Sequence, residues 1–466
     1  MTIVGELQAL LGAEQVHADA VTLRAAATDT WPLRLVQSAV GGEPMPGPLC
    51  VVRPRAASEV AQALQLLYQG GVAVVPRGGG SGVQGGAEPP PGSVVLDLSN
   101  LDQILSLDED NLSVTAQAGV RLHTLEQWLN ERGYVGGHYP QSIEQAQLGG
   151  LVATRSAGQL STRYGSIEDL LLGLAAVLPD GTALRIGATP RCAGGPDLRQ
   201  LFLGSEGTLV VMTEVTLKVF PKPEATWRSA YALPSFTSGL DVMRRIMRPG
   251  WRPAVVRLYD AIETERSFPD LAERGTCLLL CAAEGPRGLP ELEGAAIDSL
   301  AREVGAQPLG SAPVEAWFGH RNDVRAFYQY VQAGVIVDTI DVSVSWSCAA
   351  QVYQAVLAGL RHAVPELMVA SAHASHAYPQ GTSLYFVVGA QPPRDAAAVE
   401  RIYRSIWSTA MQAVLANGGS ICHHHGIGKL RAPWLAQQQS ASVELLRQVK
   451  AALDPRGTMN PGTLLA

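Results

Sequence analysis

Three consecutive histidines, His423, His424 and His425, lie in the segment GGSICHHHGIGKLRAPWL, well away from either end of the chain. Imidazole nitrogens bind transition metals, exchange protons and change charge near neutral pH. The run therefore predicts either a metal site or one side of a pocket that binds anions and moves protons. The choice depends on the residues that the fold places beside it.

A glycine-rich segment, VAVVPRGGGSGVQGG, follows a strand signal and contains the spacing Gly80-x-Gly82-x-x-Gly85. A Rossmann site needs this spacing to begin a helix, whose N-terminus then binds the pyrophosphate. Three consecutive prolines at 89–91 forbid that helix, because proline lacks a backbone N–H and clashes with the preceding turn. The segment instead predicts a loop whose backbone N–H groups approach an anion closely.

Further small-residue segments follow in order along the chain: QLGGLVATRSAGQL at 147–160, GSEGTL at 204–209 and NPGTLL at 460–465. Glycine and other small residues allow the backbone to approach a ligand without side chains in the way. Together with the first loop, these segments predict a binding site for a long dinucleotide between two subdomains.

The composition excludes several other classes of partner. The chain has 466 residues, of which 47% are hydrophobic, and a net charge of −7. The acidic balance argues against a nucleic-acid partner, and no run of ~18 apolar residues predicts a transmembrane segment. The N-terminus lacks the pattern of a signal peptide. The six cysteines have no disulfide or metal spacing, which favours a reducing, cytoplasmic location.

Strand and helix signals alternate through the first half of the chain, and Pro221-Lys222-Pro223 marks a stiff boundary. We predict an α+β fold, with an antiparallel sheet in the second half. The predicted parts are an N-terminal helical segment at 1–45, a two-subdomain dinucleotide domain at 46–223, a cap domain at 224–410 and a C-terminal segment at 411–466 that returns to the site.

The ordered occurrence of PRGGGSG, GGLVATRSAG with RYGSIEDL, GSEGTL and the terminal NPG resembles the vanillyl-alcohol-oxidase-type (PCMH-type) FAD-binding family. The likeness covers nearly the whole chain. It implies a PCMH-type FAD-binding domain of two subdomains followed by a cap domain. It also implies that FAD binds along the four small-residue segments.

The resemblance assigns roles to individual positions. The expected pyrophosphate loop is Pro76, Arg77, Gly78, Gly79, Gly80, Ser81 and Gly82. The expected flavin lining is Gln141, Ser142, Gly149, Gly150, Thr154, Ser156, Ala157 and Gly158. The adenosine half is expected near Glu206, Gly207 and Thr208, and Asn460 belongs to the terminal motif. Some members bind FAD covalently through a histidine after the triple glycine. Ser81 occupies that position and cannot form the bond, so we expect non-covalent FAD.

One branch of the family contains D-lactate, glycolate and 2-hydroxyglutarate dehydrogenases. There the resemblance implies a metal beside the flavin, bound by a His-x-Gly-Asp-Gly-Asn-x-His motif and a Glu-His-Gly motif. His376 matches the first histidine, but Tyr385 replaces the second and His424 replaces the glutamate. Because this site has lost its carboxylate and one imidazole, it suits a divalent ion poorly, and we predict no metal.

The branch of alkyldihydroxyacetonephosphate synthase matches more closely, through HHHGIGKLR followed by WL, through ANGGS at 416–420 and through the strand SLYF. It implies that the acyl group of acyl-dihydroxyacetone phosphate is replaced by an alkyl group through an adduct at flavin N5, with Tyr385 as the base. A phenol acts as a base only when its pKa falls from ~10, which requires positive charge nearby.

We expect that charge from His423, His424, His425 and an arginine of the cap, and the same groups suit the substrate phosphate. Arg325 is our preferred arginine and Arg321 is the alternative. Two other functions stay open: an FAD-linked oxidoreductase of a D-2-hydroxy acid such as lactate or glycolate, and a flavin-binding protein without turnover. A small or lipid-like substrate, a homodimer and peripheral contact with a membrane are all compatible with the sequence.

Overall fold

The computed structural model describes residues 2–465. The helices are α1 (Ile3–Leu11), α2 (Ala20–Ala26), α3 (Pro32–Ala39), α4 (Ala57–Gly70), α5 (Leu122–Asn130), α6 (Leu148–Ala153), α7 (Ser161–Tyr164), α8 (Ile167–Leu170), α9 (Arg199–Phe202), α10 (Phe236–Met247), α11 (Ala261–Ser267), α12 (Leu289–Glu303), α13 (Ala312–His320), α14 (Arg325–Gln332), α15 (Ala349–Ala363), α16 (Ala396–Ala416), α17 (Ala432–Gln438) and α18 (Ser440–Leu453). The strands are β1 (Val16–His17), β2 (Cys50–Val52), β3 (Val74–Arg77), β4 (Val94–Asp97), β5 (Ile104–Asp108), β6 (Ser113–Gln117), β7 (Tyr134–Val135), β8 (Leu171–Val177), β9 (Ala183–Ile186), β10 (Val211–Lys218), β11 (Phe220–Pro221), β12 (Ala225–Leu233), β13 (Val255–Tyr259), β14 (Cys277–Gly285), β15 (Gln307–Gly310), β16 (Ile336–Ser345), β17 (Leu367–Ala377) and β18 (Gly381–Ala390).

The first half of the chain contains a two-stranded sheet of β7 and β11 and two larger sheets. One has the order β1-β2-β4-β3, in which β2 and β3 run parallel to β4. Its short valine-rich strands are buried on both faces, as expected for parallel strands covered on two sides. The other sheet, β5-β6-β10-β8-β9, is antiparallel throughout. Residues 83–93 contain no helix, as the three prolines predict.

The second half of the chain forms one antiparallel sheet of order β15-β12-β14-β13-β17-β18-β16, which confirms the predicted α+β class and antiparallel cap sheet. Strands β17 and β18 are joined by a hairpin, in which Tyr378 and Gly381 exchange backbone hydrogen bonds. A Cβ at Gly381 would lie 2.0 Å from the Val344 carbonyl oxygen on β16. Only glycine therefore allows β16 and β18 to pair up to this turn.

The N-terminal helices divide between the two cores. Leu7 and Leu11 of α1 pack into the core of the first half, together with Met459 from the end of the chain. Trp31 and Val36, in contrast, pack into the core of the second half, against β16 and α16. Both termini therefore contribute to the packing of the sheets that position the site. Within residues 2–465 no helix is long and apolar enough to cross a membrane.

Candidate active site

Tyr385 lies on β18, between strands β17 and β16. Its direct cross-strand partners are His373 on β17 and Asp341 on β16. Directly paired residues point to the same face of a sheet, so these three side chains form one row. The rings of His373 and Tyr385 stack, with centroids 4.7 Å apart and planes 19° apart. The two-residue repeat of β-structure thus determines which side chains surround Tyr385.

The Asp341 carboxylate holds the histidine run in place. Its Oδ2 accepts hydrogen bonds from the backbone N–H groups of His423, His424 and His425, at 3.0, 2.6 and 3.1 Å. Three successive N–H groups that converge on one oxygen resemble an anion-binding nest, with a side chain of the protein itself as the anion. The turn is therefore fixed by its backbone, and the three imidazole rings remain available for other contacts.

Arg431 neutralises Asp341. Its Nη2 donates to Asp341 Oδ1 at 2.5 Å, and its Nη1 donates to the Asp341 and Ile421 carbonyl oxygens at 3.1 and 2.9 Å. Neither side chain of the pair is exposed. Although burial raises the pKa of Asp341, the Arg431 guanidinium holds it well below its usual range. The sequence did not identify Arg431 as part of the site, although KLR follows the histidine run directly.

Four further imidazoles lie beside the row of His373, Tyr385 and Asp341. His376, from β17, stacks on His423 at 4.8 Å between centroids, and its Nδ1 lies 2.7 Å from Ser161 Oγ. The His424 and His425 rings lie 6.1 and 5.3 Å from the Tyr385 ring. Nitrogens of His376, His423 and His424 lie within 4.8 Å of one another, close enough to bind a metal ion together. The predicted absence of a metal thus stays a prediction.

The charges of these groups differ from the sequence-based expectation. Burial lowers the pKa of His423 to about 4, and it lowers the pKa values of His376 and His424 well below 6.5. These imidazoles are therefore neutral at neutral pH. Burial also raises the pKa of Tyr385, and the neighbouring Asp341 raises it further. The expectation that charged His423 and His424 activate Tyr385 as a base is therefore not supported, because burial favours the uncharged form of all three side chains.

The predicted pyrophosphate loop lies against the predicted flavin lining. A Cβ at Gly79 would lie 1.9 Å from the Gln145 carbonyl oxygen, so only glycine permits this approach. The Gln145 Nε2 also donates to the Gly79 carbonyl oxygen at 2.7 Å. The structure thus brings residues 78–82 beside residues 145–150, two segments that are far apart in sequence.

Polar atoms on and beside these loops lack partners. Buried atoms without a hydrogen bond in residues 2–465 include Thr28 Oγ1, both side-chain amide atoms of Gln84, His138 Nδ1, Gln147 Oε1 and Ser205 Oγ. Most buried polar atoms in proteins are satisfied, so the unpaired atoms on and beside these loops suit a polar ligand that would complete them. The residues present therefore fit a long dinucleotide such as FAD. We call the region between residues 78–82 and residues 145–150 the trough.

His138 is a site residue that the sequence analysis missed. Its Nε2 lies 2.6 Å from Oγ of Ser156, one of the predicted flavin-lining residues, and its ring is buried. Its place in GGHYPQS, directly before the predicted lining, was a signal that could have identified it. A buried imidazole with a free nitrogen at this position can donate to or accept from a ligand in the trough.

Several predicted cofactor residues instead join the loops to each other. The Glu206 carboxylate accepts from the backbone N–H groups of Ile427 and Gly428, at 2.7 and 2.8 Å, so it binds the chain after the histidine run. Asn460 Nδ2 donates to the Gly86 and Glu206 carbonyl oxygens. Arg77 donates to the Thr28 and Ala25 carbonyl oxygens. These side chains shape the trough, and their polar ends are already bonded.

The remaining predicted positions differ in exposure. The buried positions are Gly149, Ser156, Ala157, Gly158, Gly207 and Thr208. The partly buried positions are Pro76, Gly78, Gly80, Ser81, Ser142, Gly150 and Thr154, and the exposed positions are Gly82 and Gln141.

The structure does not bring Arg325 to Tyr385. Its side chain is 86% exposed and forms an ion pair with Asp323 at 2.5 Å. Arg321 is largely buried instead, with its guanidinium near the rings of Trp317 and Tyr139. The preference for Arg325 is thus corrected, because the start of α14 points that side chain toward solvent. Besides Arg431, which binds Asp341, Arg257 also contacts this row, since its Nη2 lies 2.5 Å from His373 Nε2.

Comparison with protein families matches residues 48–187 to an FAD binding domain and residues 222–464 to the C-terminal domain of FAD linked oxidases. The chain belongs to the FAD-linked oxidase family. The family match and the unpaired polar atoms beside the glycine-rich loops both support FAD as the cofactor. The resemblance inferred from the glycine-rich segments is thereby confirmed.

Several family members match nearly the whole chain. An uncharacterised FAD-linked oxidoreductase of Escherichia coli, YgcU, is 37% identical, covering 99% of this chain and 98% of YgcU. Alkyldihydroxyacetonephosphate synthase of Caenorhabditis elegans is 30% identical over 90% of this chain and 76% of its own. The glycolate oxidase subunit GlcD of Bacillus subtilis is 27% identical over 90% of this chain and 89% of its own.

Solved structures of FAD-linked oxidases support the fold. A structure of alkyldihydroxyacetonephosphate synthase superimposes with a TM-score of 0.82 at 25% identity, over 98% of this chain and 84% of its own. p-Cresol methylhydroxylase superimposes with a TM-score of 0.78 at 16% identity, over 99% of this chain and 96% of its own. The PCMH-type fold of this family member is therefore established.

The Asp341–Arg431 pair leads to a prediction about stability. Asp341→Asn leaves a buried guanidinium without a counter-ion, so we expect a loss of about 3–5 kcal/mol in the free energy of unfolding. Asp323→Asn is the matched control, because it disrupts an exposed Asp–Arg pair in the same domain, and we expect little change. Urea unfolding of the FAD-saturated protein, followed by fluorescence, measures both. Equal effects of the two substitutions would contradict the anchoring role of Asp341.

His138 leads to a prediction about pH. Burial lowers the pKa of His138 from 6.5 to about 4, so the unfolded chain binds its proton at a higher pH than the folded chain. As the pH falls from about 6.5 toward 4, the unfolded chain binds a proton at His138 that the folded chain does not bind, so the free energy of unfolding decreases. Above about pH 6.5 this effect is absent. We expect His138→Gln to flatten the fall in urea midpoint between pH 7 and pH 5. His362→Gln, at an exposed position on α15, serves as the control and should leave the wild-type slope unchanged.

Proposed function

We propose that this FAD-linked oxidase family member is an enzyme of the alkyldihydroxyacetonephosphate synthase type, which replaces the acyl group of acyl-dihydroxyacetone phosphate by an alkyl group. The packing of Tyr385 against His424 and His425 carries the proposal. A hydroxy-acid dehydrogenase of this family would have histidine at 385 and glutamate at 424. The likeness to the synthases in both sequence and structure supports the same assignment.

FAD, when bound, supplies an electron-accepting isoalloxazine ring to this chemistry. The glycine loop at 78–82 would hold its pyrophosphate, and His138 with Ser156 would lie along its flavin half. The buried imidazoles and Tyr385 would form the opposite side of the pocket. Burial favours the neutral form of His423 and His424, so these two rings would offer hydrogen bonds to the substrate rather than charges.

A hydrogen-bonded chain provides a path for the proton that the substrate must lose. Tyr378 Oη lies 2.8 Å from His423 Nε2, and His423 Nδ1 lies 2.8 Å from His424 Nδ1. When His424 accepts a proton at Nε2, it can pass its Nδ1 proton to His423. His423 can then pass its own Nε2 proton to Tyr378 Oη while the hydroxyl proton of the partly exposed Tyr378 leaves to solvent. In this proposal His424 is the proton acceptor, and Tyr385 donates a hydrogen bond to the substrate because burial keeps its phenol protonated.

A second candidate function is oxidation of a D-2-hydroxy acid. The observation in its favour is the cluster of His376, His423 and His424 nitrogens, which could bind a metal ion as in the dehydrogenase branch. The similarity to the glycolate oxidase subunit GlcD points the same way. A metal-dependent bleaching of the flavin by a hydroxy acid would be the signature of this function.

One pair of assays separates the candidates. Labelled hexadecanol and acyl-dihydroxyacetone phosphate should yield a labelled ether lipid if the synthase proposal is correct. Anaerobic mixing with D-lactate, glycolate or 2-hydroxyglutarate should leave the flavin absorption band at ~450 nm unchanged. This band is a property of the flavin, and the protein only shifts its position. Bleaching by a hydroxy acid without ether formation would establish the dehydrogenase. Bound FAD with neither reaction would favour a flavin-binding protein without turnover.

Tyr385→Phe removes the phenol oxygen and retains the ring that stacks on His373. We expect turnover to fall about a hundredfold or more while FAD stays bound, since a donor to the reacting group is lost. Tyr378→Phe should slow solvent deuterium exchange at the reacting carbon, because it interrupts the proton path. Tyr328→Phe, at an exposed position on α14, is the control. Normal turnover in the Tyr385 variant would contradict its assignment.

The expectation of non-covalent FAD has a direct test. Ser81 follows the triple glycine, where some family members carry the histidine that forms the covalent link. Acid precipitation should therefore release the yellow colour into the supernatant. A yellow pellet that resists extraction would show that another side chain is linked to the flavin.

A further inference from the structure

A short segment near the N-terminus, residues 28–31, packs against the glycine-rich loop at 78–87, although it precedes the matched FAD binding domain. Thr30 Oγ1 lies 3.1 Å from the carbonyl oxygens of both Gly80 and Gly82. The backbone N–H of Thr30 donates to the same Gly82 oxygen at 2.9 Å. Thr30 therefore binds two carbonyl groups of this loop from one side.

The direction of these carbonyl groups determines the direction of the neighbouring N–H groups. The peptide bonds of the loop are trans. In a trans peptide the C=O of one residue and the N–H of the next residue point in opposite directions. Because the Gly80 and Gly82 oxygens face Thr30, the N–H groups of Ser81 and Val83 point away from it.

The N–H groups of this loop differ from its carbonyl groups in their hydrogen bonding. Within the described residues, no N–H group of residues 79–86 has an acceptor. Several carbonyl oxygens of the loop do have donors, since Gln145 Nε2 donates to Gly79 and Asn460 Nδ2 donates to Gly86. A series of backbone N–H groups left without acceptors suits an anion, and the pyrophosphate of FAD is the anion expected here.

Asp29 contacts the other end of the loop. Its Oδ2 accepts from the Ala87 N–H at 3.4 Å, and its Oδ1 accepts from the Trp31 N–H at 3.1 Å. The Asp29 side chain is buried, and a Cβ at Gly82 would lie 3.3 Å from its Oδ2. Asp29 and Thr30 therefore hold the loop at two places, one near its middle and one near its end.

Trp31 connects this segment to the cap. Its indole packs so closely on Gly85 that a Cβ there would lie 2.6 Å from Trp31 Cε3. Its Nε1 donates to Tyr403 Oη at 3.1 Å, and Tyr403 Oη donates to Asp338 Oδ2 at 2.5 Å. Tyr403 lies on α16 and Asp338 lies on β16, so the core of the cap fixes the position of the segment.

We infer that residues 28–31 form a further part of the FAD site, in which Thr30 and Asp29 are positioning residues for the pyrophosphate loop. By binding the carbonyl groups of the loop, Thr30 directs the N–H groups of Ser81 and Val83 toward the pyrophosphate. Hydrogen bonds to a charged acceptor are stronger than those to a neutral one, so their orientation contributes to FAD affinity. This role concerns the cofactor and goes beyond the proposed function, because it holds for any substrate.

The Thr30 hydroxyl can be removed and restored by substitution. Thr30→Val keeps the shape of the side chain and removes the hydroxyl, whereas Thr30→Ser keeps the hydroxyl. Holoenzyme is diluted, and FAD release is followed by the rise in flavin fluorescence. We expect Thr30→Val to raise the dissociation constant of FAD about threefold to tenfold and Thr30→Ser to bind FAD like the wild type. Thr276→Val, which removes a hydroxyl that donates to Glu273 in an exposed turn of the cap, is the control and should change nothing.

The absorption spectrum of the bound flavin distinguishes positioning from general damage to the site. The pyrophosphate is separated from the isoalloxazine ring by the ribityl chain, so Thr30→Val should leave the spectrum of bound FAD unchanged. A shifted spectrum would contradict a role confined to the pyrophosphate loop. If FAD release is too slow to follow, the ratio of flavin to protein absorbance in the purified variants should give the same order of affinity.

Two results would overturn the inference directly. One is a Thr30→Val variant that retains FAD as tightly as the wild type, and the other is a Thr30→Ser variant that binds FAD as weakly as Thr30→Val. If Thr30→Val does not fold, Asp29→Asn provides the second variant, because it keeps the size of the side chain and weakens its contact with the Ala87 N–H. We expect it to weaken FAD binding, and unchanged binding in this variant would also overturn the inference.

Discussion

The Asp341 carboxylate is the interaction on which the rest of the site depends. Its Oδ2 accepts hydrogen bonds from three backbone N–H groups of the histidine turn, and its Oδ1 accepts one from the buried Arg431 guanidinium. Because Asp341 is also the cross-strand partner of Tyr385, one residue fixes the distance between the sheet and the turn. An ion pair removed from water needs hydrogen bonds to offset its desolvation, and within the described residues every polar atom of this pair except Arg431 Nε has a partner.

A second carboxylate performs the same task on the other side of the turn. Glu206, from the first half of the chain, accepts the N–H groups of Ile427 and Gly428, while Asp341, from the cap, accepts those of the histidines. The chain from 423 to 428 is thus held between strand β16 of the cap and the turn between α9 and β10. Any movement of the cap relative to the FAD-binding domain must break or stretch one of these contacts.

Sequence patterns predicted the fold class, FAD as the cofactor and the grouping of Tyr385 with the histidines. These predictions were possible because the order of the motifs and the periodicity of the strands can be read directly from the sequence. The patterns did not predict ionisation. The neutral state of His423 follows from burial beneath strands that are distant in sequence, and no local pattern encodes that burial. The preference for Arg325 over Arg321 failed for a similar reason, and Arg257 was not considered. Arg325 lies in the expected motif, but helix geometry turns it outward, whereas strand pairing brings Arg257 inward.

The hairpin at Gly381 has a consequence for how such a site can diversify. Strands β18 and β16 pair without interruption from Gly381 to Ala390, and Tyr385 lies within that stretch. Inserting or deleting one residue between Gly381 and Tyr385 would present a different side chain to His373 and Asp341, since strand faces alternate. A change in the substrate specificity of this site would therefore require substitutions at fixed positions rather than insertions or deletions. Exposed loops such as 188–197 can accept changes in length more readily than this strand pair.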